Sequence, residues 1–108
     1  AVCAALLPHV MAANVAALRA RAPQHPSLRR YEEIARLLTG NAHASADEGV
    51  AWVRGLVADL GVLGLGSYGL ADEHLAELIL AAGRSSSMKG NPLALSDDEL
   101  RAILARAL

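Results

Sequence analysis

Phenylalanine is absent from this 108-residue chain, and aromatic side chains make up only 3% of it. With apolar residues at 54%, the core must be assembled from Ala, Leu, Val and Ile, whose side chains suit closely packed helices. Cysteine occurs once, as Cys3. A single cysteine excludes an internal disulfide framework and a cysteine cage for zinc, and it is compatible with a reducing cytoplasm. There is no excess of either charge, with ten basic residues against eleven acidic ones and a formal charge of -1. With neither sign gathered into a stripe, nucleic acid is not an expected partner. The stretch from Ala1 to Leu18 has no formally charged side chain, which raises a membrane span. Pro8, His9 and Asn14 interrupt it and much of the rest is Ala, so a buried helix of a soluble domain is expected. The length fits one small domain with one modest core.

What is present is helical periodicity. Val2 to about Arg21 carries Leu6, Val10, Ala13 and Ala17 at helical spacings, with two apolar faces. Pro8 removes a backbone donor there and predicts a kink or a start near Leu7. The pattern is already running at Ala1 with no capping side chain, so the chain reads as cut within an element. Pro23 and Pro26 mark a turn, and Ser27 is placed to cap a helix from Leu28 to about Thr39, ended by Gly40. Leu28, Tyr31, Ile34, Ala35 and Leu38 form its apolar stripe. Ser45 and Glu48 have capping-box spacing before a helix with Val50, Val53, Leu56, Val57 and Leu60, ended by Gly61. Trp52 lies off that stripe, as a partly buried residue at the domain edge. Val62 to Leu70 is a glycine-rich connection, and a helix follows Asp72 to about Arg84. Ser85 to Leu95 is a second connection, and Ser96 with Glu99 opens a last helix. The expectation is an all-α domain of about five helices spanning 1–108, with no repeat.

Four groups of residues carry possible chemistry. Gly64, Gly66 and Gly69 spell GxGxxG, the spacing that lets backbone approach a pyrophosphate, but a helix precedes them and no βαβ unit follows. A helix-to-helix connection is the expectation. His9, His25, His43 and His74 are never paired at i, i+3 or i+4, so no metal site is legible locally. His9 is read as a hydrogen-bonded structural histidine and His25 as solvated. The run Ser85 to Asn91 offers hydroxyls, Lys89 and open backbone donors for a phosphate or a substrate oxygen, against the plainer reading of a connector. Cys3 is read as packing, and Asp47, Glu48, Asp97, Asp98 and Glu99 as helix-start acids favoured by the dipole. No catalytic, cofactor-binding or metal-ligating residue is assigned in this chain.

Leu6-Leu7-Pro8-His9-Val10-Met11 with Asn14 shortly after, and Gly90-Asn91-Pro92 ahead of a capped terminal helix, resemble the C-terminal region of iron-containing (group III) alcohol dehydrogenases. Tyr31 to Leu38 with Gly40, and Leu56 to Gly61, resemble intervening segments of that region in the same order. The connection after Gly61 departs from the family, being richer in glycine.

The resemblance implies a dehydroquinate synthase-like helical domain. It implies a parent with an N-terminal domain binding NAD or NADP and a divalent metal, iron or zinc, held by an Asp and three His. Alcohol and aldehyde or ketone would be interconverted, with maleylacetate reductase-like activity within range. His9 matches a family histidine that is not a metal ligand, and the ligands themselves are expected upstream of Ala1 or at positions that this chain does not match. The implied partners are the N-terminal portion of the enzyme and further copies of it, in the cytoplasm. The alternative is a stand-alone helical interaction module that uses the apolar first helix. An uncovered first helix also predicts self-association through Val2 to Leu18, sensitive to Val10→Asp.

Overall fold

The computed structural model describes residues 1–108 and is all-helical, without a strand. Helix α1 (Val2–Arg21) is central and packs on α2 (Pro26–Thr39), α3 (Ala46–Asp59) and α5 (Asp97–Ala107); α4 (Leu75–Arg84) packs on α5. The principal extents are 42 × 32 × 20 Å. The short dimension is the thickness of about two helices of ~10 Å each, so few residues are enclosed on every side. Only 18 of 108 are buried.

Two clusters of buried side chains lie along α1. Near its C-terminal half, Met11 and Val15 meet Ala46, Val50 and Val53 of α3. Near its start, Ala5 meets Leu65 and Ala107. Between α2 and α3 the approach is unusually close, because Gly49 faces Ala35; a Cβ on Gly49 would lie 2.7 Å from the Ala35 Cβ. Small residues at both positions let the two backbones come together without a void.

The expected helices are present, with several changes at their ends and faces. α1 runs through Pro8 from Val2, so the start near Leu7 is not realised, and Pro8 is buried. The first helix is less covered than its sequence predicts: Val2, Cys3 and Leu7 are exposed, and Cys3 is therefore not a packing residue. The helix is long and apolar enough to cross a membrane by length and composition, but it carries a buried Asn14 and core contacts on several sides.

α2 is capped by His25 rather than Ser27. The His25 Nδ1 accepts from the Ser27 backbone N–H at 3.1 Å, with Pro26 at the first helical position, where its missing N–H costs nothing. His25 is thus a half-buried cap and not a free surface residue. At Ser45 only half of the box forms, the hydroxyl accepting from the Glu48 N–H. Ser96 and Glu99 form both halves. The segment after Asp72 begins as a 3-10 turn, Asp72–His74, before α4, and 3-10 turns also occupy Leu65–Tyr68 and Ser86–Gly90. Gly40 and Gly61 take positive φ of 70° and 67° where α2 and α3 end, the left-handed conformation that glycine adopts without a Cβ clash. The stripes are narrower than their periodicity: Ile34, Leu56 and Leu60 are exposed, with Trp52 40% exposed at the edge.

Candidate functional site

The GNP segment and the Asn14 of α1 meet inside the molecule. The Asn14 Nδ2 donates to the Asn91 Oδ1 at 2.9 Å, and the Asn91 Nδ2 donates back to the Asn14 Oδ1 at 2.8 Å. Asn14 also donates to the Tyr31 hydroxyl at 3.1 Å, and Asn91 to the Leu93 carbonyl at 2.8 Å. Asn14 is 2% exposed, so this amide needs partners, and it has them from α2 and from the loop before α5. The pairing joins the two segments that carry the family resemblance. Local pattern reading missed it, since nothing in helical periodicity couples positions 77 apart.

Close by, Arg21 of α1 bonds Glu99 at 3.0 Å and the Ala94 carbonyl at 2.8 Å. The Glu99 carboxyl titrates below the ordinary glutamate value of 4.5, first because the Ser96 backbone N–H donates to it and then because Arg21 does. In the run Ser85 to Asn91 the three serines are exposed and only Asn91 turns inward among its polar side chains to make a hydrogen bond. The serine hydroxyls do not converge with Lys89 on a hollow: the nearest cavity is lined by Met88, Lys89 and Asn91 but by none of the serines.

The glycine run has a structural occupation. The Gly66 N–H donates to the Leu108 carbonyl at 3.2 Å, and a Cβ at Gly64 would collide with that same carbonyl. The backbone approach that glycine permits here is to the end of α5. The motif sits in a 3-10 turn with no strand before it, which does not fit a dinucleotide cradle.

Beside this turn lies an apolar cleft of about 690 Å³, lined by Val2, Leu6, Leu65, Leu70, Leu78 and Leu104, with Tyr68, His74 and Glu77 as its polar side chains. The His74 Nδ1 accepts from the Ala71 N–H at 2.9 Å, which fixes the ring and leaves the proton of the neutral imidazole on Nε2, 3.8 Å from Glu73. No serine or cysteine lines the cleft, so it offers shape and apolar surface rather than a nucleophile.

The four histidines remain apart. No group of three or more His, Cys, Asp or Glu side chains is placed to hold a metal ion, so the residues present do not fit the Asp and three His of the implied metal site. His43 is exposed, its backbone N–H held by the Asn41 side chain. His9 is not the hydrogen-bonded residue that its sequence context predicts: its Nδ1 is buried without a partner. Its pKa lies below 6.5, chiefly through burial and then through the charges of Arg54 and Arg106.

The profile described as "Fe-containing alcohol dehydrogenase family, C-terminal" matches residues 1–108. No curated protein and no solved structure matches the chain.

Proposed function

Because this chain belongs to the iron-containing alcohol dehydrogenase family, in its C-terminal region, we propose that it forms the helical part of a metal-dependent, NAD(P)-linked oxidoreductase. The family is one of oxidoreductases. The reading at this finer level is that the parent interconverts an alcohol with an aldehyde or ketone, maleylacetate reductase-like reduction included. The observation that carries it is the family match along the whole of 1–108.

In this reading nicotinamide supplies or accepts hydride, and the metal, iron or zinc, polarises the substrate oxygen. Both are held by an N-terminal portion of the same polypeptide, since neither the glycine run nor the dispersed histidines fit them. The helices wall one side of the active-site cleft, in a cytoplasmic homo-oligomer. A stand-alone interaction module uses the same exposed apolar surface, but it gives no reason for a match that runs from the first residue to the last.

The test is to express the complete reading frame and assay alcohol oxidation with NAD⁺ or NADP⁺ in the presence of Fe²⁺ or Zn²⁺. Turnover that requires metal and nicotinamide, and that disappears when residues 1–108 are deleted, is the expected result. A complete protein that binds no nicotinamide cofactor overturns the proposal.

A further inference from the structure

Two hollows meet across a pair of leucines. The apolar cleft of about 690 Å³ beside the 3-10 turn Leu65–Tyr68 is walled in part by Leu6 of α1 and Leu104 of α5. The same two side chains line a smaller interior cavity of about 160 Å³, together with Val10, Ile79, Leu95 and Ile103. Leu6 and Leu104 are half-buried and form the partition between the outer hollow and the inner one.

The inner cavity suits hydrocarbon alone. Nine of its ten lining residues are apolar, and the tenth, Asn91, spends its amide on Asn14 and the Leu93 carbonyl. A hollow without free polar groups holds water poorly and accepts apolar molecules. The outer cleft falls within the ~300–1,000 Å³ range of small-molecule sites, and its polar side chains are Tyr68, His74 and Glu77. No lysine or arginine lines it, and Glu77 enters no ion pair. Glu73, with its carboxylate 3.8 Å from the His74 Nε2, adds a second negative charge close by. The head group that this lining attracts is therefore a cation, and an anion is repelled.

We infer that the cleft and the inner cavity form one binding site for a cationic amphiphile, an alkylammonium in its simplest form. The ammonium donates to the Glu77 carboxylate and the Tyr68 hydroxyl, and the tail lies on Leu65, Leu70 and Leu78. Its end turns Leu6 and Leu104 aside and fills the inner cavity. Burial of each further methylene strengthens binding by up to about fourfold until that space is full.

The experiment is calorimetric titration of the complete chain with octylammonium, hexylammonium and octanoate, each below its micelle-forming concentration. Saturable binding of octylammonium is expected, about fivefold or more tighter than octanoate and about fourfold or more tighter than hexylammonium. Glu77 and Ala81 are exposed positions of the lining, so Glu77→Gln and Ala81→Trp leave the core intact. Glu77→Gln should remove most of the preference for the ammonium. Ala81→Trp should fill the cleft and abolish binding, with the circular dichroism spectrum unchanged. No saturable binding, octanoate as tight as octylammonium, a preference that survives Glu77→Gln, or binding that survives Ala81→Trp overturns the site. Hexylammonium as tight as octylammonium overturns the use of the inner cavity, and affinity that falls as protein concentration rises puts a second copy in the cleft instead.

Discussion

Two glycines in α3 show how much depends on what a single missing Cβ faces. Gly49 lies against the Ala35 Cβ and Cα, and an added methyl would meet backbone 2.9 Å away, whereas Gly55 has nothing within 4 Å. Gly49→Ala is therefore expected to destabilise by about 1–3 kcal/mol, since α2 and α3 must separate to admit it. Gly55→Ala is expected to stabilise by up to about 1 kcal/mol, because alanine loses less backbone entropy in a helix. Urea unfolding of the two variants checks both signs at once, and equal effects would contradict the packing. At the same scale the sequence is least legible. Nothing adjacent to Gly49 distinguishes it from Gly55, and nothing adjacent to His25 says that an imidazole nitrogen will do the work expected of the Ser27 hydroxyl. Those outcomes are decided by neighbours on other elements, or by the fixed geometry of Pro26.

Helices were far easier to read than their contacts. The capping residues Ser45 and Ser96, the stops Gly40 and Gly61, and the 3.6-residue period locate all five, because each signal acts within one or two turns. Leu56 and Leu60 lie on the apolar stripe of α3 and yet are exposed, because periodicity describes a face without saying whether another element covers it. The candidate site was legible only through the resemblance, which quoted Asn14 and Asn91 without revealing that they touch. The start of α5 gives the clearest test at this scale. Glu99 has a folded pKa below its unfolded value, so its contribution to stability is full above about pH 4.5. That contribution is lost as pH falls through the lower, folded value. Glu99→Gln should flatten the acid side of the stability profile, measured by thermal melts below pH 5. Ser96→Ala should cost about 1 kcal/mol at neutral pH by removing the acceptor for the Glu99 N–H. A profile unchanged by Glu99→Gln would show that the carboxylate contributes nothing through this cap.

For the molecule as a whole, thinness leaves apolar surface at the N-terminal end of α1, where Val2 and Leu7 are each 48% exposed. Self-association of this chain at micromolar concentration is the expected outcome. Val10 lines an interior cavity with Ile79, Leu100 and Leu104, so an aspartate there is expected to destabilise the fold as well as any association, and the exposed Leu7 separates the two effects. Leu7→Asp should weaken association and leave the circular dichroism spectrum unchanged; sedimentation velocity decides, and a monomeric chain without the substitution would refute the idea. The Asn14 to Asn91 pairing has a consequence in time rather than in energy. The contacts of α2 with α3 span a short stretch of chain and can form early, but the two asparagines meet only after a 77-residue separation has closed. Interactions made after the rate-limiting step leave refolding nearly untouched and govern escape from the folded state. Asn91→Ala is thus expected to accelerate unfolding by about fivefold for each kcal/mol it removes, with the refolding limb of a stopped-flow chevron unmoved. A slowed refolding limb would instead place this contact in the folding nucleus. On the expected outcome, the lifetime of the native molecule is set by two amides while its speed of formation is set elsewhere.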